Sequence, residues 1–236
     1  MSEFKSGIIL RNKCIIVQDD NESHTELLKN LKIDDTYENA TRTFVRAELV
    51  PPDSEWWTDP STWKFIVDQD ILPDWFEDDE KRYEFEFREE VSDWATEHIF
   101  IDKQIEVLSD GYYRLKRCCV AKISRNAVAV VDDSNIEIME RNAIISYMYG
   151  KSCVDKMINN SEVDFIYDFS VIREMHDRSN ITKMHNQSSV DIMYDNAYVN
   201  EMYDNSSVKE MHENSRIWAM HDKATGKIIR KNERGY

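Results

Sequence analysis

Four Met-His dipeptides are the residues of this chain best suited to chemistry: Met175-His176, Met184-His185, Met211-His212 and Met220-His221. A thioether and an imidazole together suit Cu(I). Adjacent residues of an extended chain face opposite ways, however, so one ion cannot contact both side chains. We therefore predict neither a metal site nor a cofactor.

Other catalytic patterns are absent from the sequence. It has no glycine-rich phosphate loop, no Gly-x-Ser-x-Gly, no His-Glu-x-x-His and no Cys-x-x-Cys. Cys14, Cys118, Cys119 and Cys153 have neither metal nor disulfide spacing, which favours reduced thiols and a cytoplasmic protein. Neither a signal peptide nor a membrane-spanning apolar run appears. We predict no catalytic residues, although stacked carboxylates such as Asp177 and Asp195 leave an undetected enzyme open.

A nine-residue repeat determines the elements that carry these residues. All nine internal methionines recur in one column from Met139 to Met220, with Ile166 in phase. A valine or isoleucine lies three positions earlier, and a serine or alanine lies five positions earlier. The unit is small-x-Val/Ile-x-x-Met-x-x-x in ten copies.

This period excludes a helix and favours a β-solenoid. Nine steps of about 100° would place successive methionines on opposite helix faces. Alternation from the small residue to Val/Ile is typical of a short strand, and the x-x-Met step can turn a corner. Two units would form a flat coil and three a triangular coil, and the sequence does not choose between them.

Two outward columns accompany the repeat. Asp and Asn occupy turn positions, and we interpret them as turn formers because both tolerate left-handed backbone. Calcium is disfavoured, since the nine-residue calcium β-roll needs many glycines and this chain has five. Rings follow most methionines, and we interpret them first as a stacked support and second as a recognition surface. The candidate partner-binding rings are His176, His185, Tyr194, Tyr203, His212 and His221.

The N-terminal part is predicted to be a small α+β unit. An apolar hairpin spans Gly7 to Gln18, a capping box at Ser23–Glu26 opens a short helix, and a strand covers Thr43–Leu49. The clearest helix runs from about Asp78 to His98. A Trp-rich core is expected, built from Trp56, Trp57, Trp63, Phe65, Trp75 and Phe76. Ile99–Leu108 and Tyr112–Ala121 are predicted to form a hairpin around Ser109-Asp110-Gly111.

The predicted fold class is therefore mainly β, with three regions. Residues 1–117 form an acidic, Trp-rich α+β capping domain, residues 118–225 form the solenoid, and residues 226–236 form a basic tail. The tail and its approach contain Lys223, Lys227, Arg230, Lys231 and Arg234, which would protect the open edge. Alternatively, that end is a homo-oligomer contact through Trp218, Ile228 and Ile229.

Charge points to a protein partner. The net charge is −16, and residues 51–100 hold sixteen acidic residues against four basic ones, which argues against direct nucleic-acid binding. The acidic run is either a solubilising surface or a decoy that replaces phosphates in a basic groove of another protein. Its candidate binding residues are Glu77, Asp78, Asp79, Glu80, Glu84, Glu89 and Glu90.

The repeat, cleanest at Asn205–Asn214, resembles repeats in uncharacterised proteins of gut-type bacteria and their phages. Phe44–Pro52, which leads into the Trp-rich segment, resembles the same proteins. The solenoid is also loosely similar to pentapeptide-repeat proteins, which include DNA mimics, although the period differs. The resemblance implies a phage or prophage origin.

These patterns favour a non-enzymatic interaction protein that binds, or binds and inhibits, a host defence or nucleic-acid enzyme through its acidic region and solenoid surface. A structural or virion-associated repeat protein is the first alternative. A glycan-binding or glycan-cleaving solenoid is the second. No membrane association is expected.

Overall fold

The computed structural model describes residues 4–19 and 21–229. It divides into two compact units, Met1–Ile99 and Phe100–Tyr236. Strand content is 47% and helix content 17%, which confirms the mainly β class. Within the described residues, no helix is both long and apolar enough to span a membrane.

The first unit contains a four-stranded antiparallel sheet. Its strands are β1 (Lys5–Leu10), β2 (Lys13–Ile16), β3 (Phe44–Val50) and β4 (Lys64–Val67), in the order β2-β1-β3-β4. Its helices are α1 (His24–Asn30), α2 (Tyr37–Ala40), α3 (Asp74–Glu77) and α4 (Glu80–His98). Short 3-10 turns cover Pro52–Ser54 and Pro60–Thr62.

Local sequence signals in this unit are confirmed. β1 and β2 form the predicted hairpin, with Ile9 opposite Cys14. Ser23 caps α1, and its hydroxyl accepts a hydrogen bond from the backbone N–H of Glu26 at 3.3 Å. This side-chain acceptor satisfies one of the amides that a helix leaves unpaired at its start.

The core of the first unit lies under α4. This helix buries one face made of Tyr83, Phe87, Val91, Trp94 and Ala95. Of the predicted aromatic cluster, Trp56, Trp63 and Phe76 are buried, whereas Trp57, Phe65 and Trp75 are only partly buried. The aromatic core prediction is therefore correct for half of its members.

The second unit is a parallel β-solenoid of about seven turns. Its strands begin with β5 (Ile99–Ile101), β6 (Gln104–Lys116), β7 (Cys119–Asp132), β8 (Asn135–Met139), β9 (Ile144–Tyr149), β10 (Cys153–Met157) and β11 (Glu162–Ile166). They continue with β12 (Val171–Met175), β13 (Asn180–Met184), β14 (Ser189–Met193), β15 (Tyr198–Met202), β16 (Ser207–Met211), β17 (Arg216–Met220) and β18 (Thr225–Ile228).

The coil has two sides. β10 pairs in parallel with β12, so that Val154 lies beside Ile172 and Met157 beside Met175, eighteen residues later. Two nine-residue units therefore make one coil. The Val/Ile and Met columns are fully buried along most of the solenoid, and so is the Ser/Ala column, as the period predicts.

The predicted hairpin at residues 99–121 is wrong. β6 is one strand, and it pairs in parallel with β7, Gln104 beside Cys119 and Tyr112 beside Val128. The apparent turn at Ser109-Asp110-Gly111 is a register shift in this ladder, with positive φ at Asp110 and Gly111. A β-bulge and a tight turn both need residues that tolerate a left-handed backbone conformation, so the same residues are compatible with either.

The domain boundaries also differ from the predicted ones. The first unit ends at Ile99 and not at 117, because β6 already stacks on the coil. At the other end, β18 pairs with β16 beyond residue 225, with a register irregularity between Val208 and Met211. Of the basic tail, Arg230, Lys231 and Arg234 lie outside the described residues.

Candidate functional site

The outward turns of the solenoid share one geometry. In one example, the Ser179 N–H donates to the His176 carbonyl at 3.1 Å, and Asp177 between them has φ of 57°. Positive φ strains most side chains but is tolerated by Asp and Asn. The same conformation occurs at Asp168, Asn186, Asp195, Asp204 and Asp222. The interpretation of this column as turn formers is therefore confirmed.

The turn residues also connect neighbouring coils. The Asp177 N–H donates to Asp195 Oδ2 at 2.9 Å, and the Asp195 N–H donates to Glu213 Oε2 at 2.9 Å. The amide oxygen of Asn186 has the same role, accepting from the Asp168 N–H at 3.1 Å. The carboxylates of Asp177 and Asp195 are thus stacked as expected, but one oxygen of Asp195 is bound to a backbone amide.

The ring column forms two stacked ladders because successive units lie on opposite sides of the coil. The longer ladder contains Tyr149, Tyr167, His185, Tyr203 and His221, with centroids 4.6–5.4 Å apart. The shorter ladder contains His176, Tyr194 and His212, with centroids 4.8 and 5.2 Å apart. The rings contact one another as a support would require, while partner binding by them stays a prediction.

Several polar ring atoms have an acidic partner two residues earlier in the chain. His176 Nε2 lies 3.0 Å from Glu174 Oε2, and His212 Nε2 lies 3.2 Å from Glu210 Oε2. The Tyr203 hydroxyl donates to Glu201, which lowers the pKa of that carboxyl. These contacts hold the rings in place. The thioethers of Met175, Met184 and Met211 are buried in the core of the coil, whereas the histidine that follows each of them is only partly buried.

Two further rings, Tyr147 and Phe165, widen the longer ladder at its start. The ring of Tyr147 stacks on that of Phe165 with centroids 5.2 Å apart, and its centroid lies 5.9 Å from that of Tyr149. The centroids of Phe165 and Tyr167 are 6.3 Å apart. Burial in this cluster, followed by the nearby Tyr167 and Tyr147, raises the pKa of Tyr149 to about 12. Sequence reasoning missed Tyr147 and Phe165, although both lie two positions before a column ring.

The predicted acidic residues are distributed over α3, the residues that follow it, and α4. Glu77 ends α3, Asp78 and Asp79 lie between the helices, and Glu80 begins α4. Two of the seven are neutralised locally, since Asp79 pairs with Arg82 at 2.7 Å and Glu84 pairs with Arg88 at 2.7 Å. Glu84 and Glu90 lie on opposite flanks of the buried face by helical geometry.

A continuous acidic stripe lies on one side of α4 instead. We use the name acidic stripe for Glu86, Glu89, Glu90, Asp93 and Glu97, whose spacing of three or four residues places them side by side. All are exposed except Glu86, which pairs with Arg82 at 3.0 Å. Among the described residues, the other four have no ion-pair partner. Their i, i+3, i+4, i+7 spacing is a signal that sequence reasoning overlooked.

Phe85 lies beside this stripe on α4. Its side chain is 62% exposed, which is unusual for an aromatic ring on a helix with a well-packed opposite face. An exposed ring next to carboxylates provides both apolar area and charge, the two components that protein interfaces combine.

A second polar cluster lies in the first unit, formed by His24, Glu48 and Asp68. Their ligand-type atoms all lie within 4.8 Å of one another. Burial, followed by the nearby Asp68 and Glu22 carboxylates, raises the pKa of Glu48 to about 7. Burial lowers the pKa of His24. Only the folded sheet brings these residues together, since they lie more than nineteen positions apart, and sequence analysis did not find them.

No family model, curated protein or solved structure matches this chain.

The turn side chains that accept backbone N–H hydrogen bonds from the neighbouring coil form a ladder, and this ladder generates a stability prediction at Asp195. Asp195→Ala removes the acceptor for the Asp177 N–H and puts alanine at positive φ, and we expect a loss of about 1–3 kcal/mol in unfolding free energy. Asp195→Asn keeps a side-chain acceptor and tolerates positive φ, as Asn186 does at its own turn. The unfolding free energy of this variant should stay within about 0.5 kcal/mol of the parent value. Chemical denaturation followed by circular dichroism measures both. Equal losses in the two variants would contradict the ladder's structural role.

Proposed function

We propose that this protein is a non-enzymatic binding protein of the cytoplasm that docks the acidic stripe of α4 onto a basic surface of another macromolecule. The observation that carries this proposal is a row of four exposed carboxylates, Glu89, Glu90, Asp93 and Glu97, without ion-pair partners among the described residues. Uncompensated charge of one sign attracts and orients a partner of the opposite sign.

The dimensions of the stripe suit a basic groove. From Glu86 to Glu97 a helix rises about 16 Å, and successive carboxylates along it can replace the phosphates of a nucleic-acid strand. Phe85 beside the stripe supplies an apolar contact that phosphates lack, which favours a protein over a counterion cloud as the partner. The partner that this chemistry fits is a protein that itself binds nucleic acid.

The resemblance to phage and prophage repeats supports a biological setting for this docking. A phage-encoded protein of this kind would occupy the nucleic-acid groove of a host defence or nucleic-acid enzyme and inhibit it. The turns and rings of the solenoid would provide additional contact surface.

Two variants of equal charge test the proposal. The stripe variant carries Glu89→Gln, Glu90→Gln, Asp93→Asn and Glu97→Gln. The control neutralises four exposed carboxylates outside α4 through Asp53→Asn, Asp70→Asn, Glu106→Gln and Glu137→Gln. Affinity purification from the native host should give one protein that the wild type and the control retain and that the stripe variant loses.

The captured protein must also release the wild-type chain when duplex DNA is added. Competition of this kind separates a decoy from a general acidic contact. A partner held equally by both variants, or one that binds DNA and this chain together, contradicts the proposal.

End-to-end assembly is a second candidate, which the exposed end of the solenoid favours. β17 and β18 end the order of strands in the sheet, and Trp218, Met220 and Ile228 are 63%, 53% and 66% exposed. Exposed apolar strands at a sheet edge favour pairing with another strand. A second copy of the chain is the occupant that presents the same complementary edge.

Sedimentation velocity tests this second candidate. The full chain should form a concentration-dependent dimer, and Ile228→Lys should restore the monomer because it charges the edge. Val107→Lys is the matched control, since Val107 is 52% exposed but lies outside the last coil. A wild-type chain that stays monomeric across the concentration range would contradict assembly through this edge.

A further inference from the structure

The cluster of His24, Glu48 and Asp68 is held by three elements of the first unit. Glu48 lies in β3 opposite Ile66 of β4. Asp68 follows β4, and its N–H donates to the Arg46 carbonyl at 2.9 Å. Residues paired in this way are diagonal neighbours on one face of the sheet. His24, the first residue of α1, completes the group with its Nδ1 at 3.4 Å from Asp68 Oδ2.

The imidazole of His24 has the orientation of a metal ligand. Its Nε2 lies 3.2 Å from the Ala47 carbonyl oxygen. A carbonyl only accepts hydrogen bonds, so Nε2 carries the proton, and in the neutral ring Nδ1 keeps a lone pair on the side of Asp68 and Glu48. Histidine ligands in metal sites are fixed in this way, with the second ring nitrogen donating to a backbone carbonyl. The side chain is only 10% exposed, so its rotamer is held by packing.

Neither Glu48 nor Asp68 has a lysine or arginine partner among the described residues, and the contact of Asp68 is with His24. The side-chain carboxylate of Glu48 has no hydrogen-bond or ion-pair partner in the described part of the chain, although its backbone is paired in the sheet. The nearby Glu22 is already satisfied, since it accepts from Lys5 Nζ at 2.9 Å and from the Ser6 N–H at 2.7 Å. Arg46, the other cation in this region, pairs with Asp35.

We propose that His24 Nδ1 and the carboxylates of Glu48 and Asp68 bind one divalent cation of the zinc class. One imidazole and two carboxylates form a borderline ligand set that suits Zn²⁺, with bonds of about 2.0–2.2 Å and a fourth position for water. Ca²⁺ needs six to eight oxygen ligands, and Cu(I) prefers sulfur. Asp68 is 59% exposed and can rotate to bring the three ligand atoms closer together.

The bound ion would link the start of α1 to the edge of the sheet. Because the ion binds the folded state, its binding adds to the stability of the first unit. The site lies outside the acidic stripe in the sequence and uses none of its residues, so the two proposals can fail independently.

Calorimetric titration of the metal-stripped full chain with ZnCl₂ tests the site. The wild type should bind one equivalent, and Glu48→Gln and Asp68→Asn should each weaken binding at least about ten-fold. His212→Gln is the matched control, because it removes a histidine that also lies beside a carboxylate, at 3.2 Å from Glu210. This control should bind like the wild type.

Thermal unfolding with and without Zn²⁺ provides the second readout. Zn²⁺ should raise the Tm of the wild type and of His212→Gln, and it should leave Glu48→Gln and Asp68→Asn unchanged. Asp68 is largely exposed, so its substitution leaves folding intact even if the Glu48 variant does not fold. Equal binding by wild type and Asp68→Asn, or loss of binding in His212→Gln, would overturn the proposal.

Discussion

Stacking of each repeat residue on its equivalent eighteen positions later is the constraint on which the regular part of the solenoid depends. Met157 lies on Met175 and Val154 on Ile172, and the same register continues through the following coils. A nine-residue unit has too little apolar surface to fold alone, so its buried columns are stable only between neighbours. The inner residues therefore cannot vary freely, and chemical variety is confined to the outward columns.

The outward columns satisfy the same constraint with polar groups. A carboxylate on one coil accepts a hydrogen bond from a turn N–H of the coil before it. Asp204 Oδ2, for example, accepts from the Asn186 N–H at 2.8 Å. The rings stack in nearly parallel planes along each side. Serine in the inner column closes the turn, since Ser179 Oγ donates to the His176 carbonyl at 2.8 Å. Most of the regular polar pattern is thus structural. Candidates for binding lie where regularity ends, on α4 and at the last coil.

The sequence predicts those features that depend on local chemistry or on the strict nine-residue repeat. The inward columns, the left-handed Asp and Asn turns and the Ser23 cap belong to this group. A nine-residue period is compatible with both a two-sided and a three-sided coil. Only the strand pairing in the structure shows that the coil has two sides. In the first coils, paired residues are fifteen or sixteen positions apart, as Gln104 is from Cys119 and Tyr112 from Val128. The sequence there has no nine-residue repeat from which the coils could be predicted. The group of His24, Glu48 and Asp68 was hidden because sheet pairing alone brings it together.

Disulfide trapping across the turns tests the two-sided stack most directly. Asn196, Asn205 and Asn214 are exposed residues of one type at successive nine-residue steps, and the four native cysteines can be replaced by alanine. Stacked residues lie about 4.8 Å apart, within the Cα range of a disulfide. Under mild oxidation, Asn196→Cys with Asn214→Cys should cross-link, and Asn196→Cys with Asn205→Cys should not. Cross-linking of the second pair, or of Asn196→Cys with Lys223→Cys in place of the first, would contradict the two-sided coil.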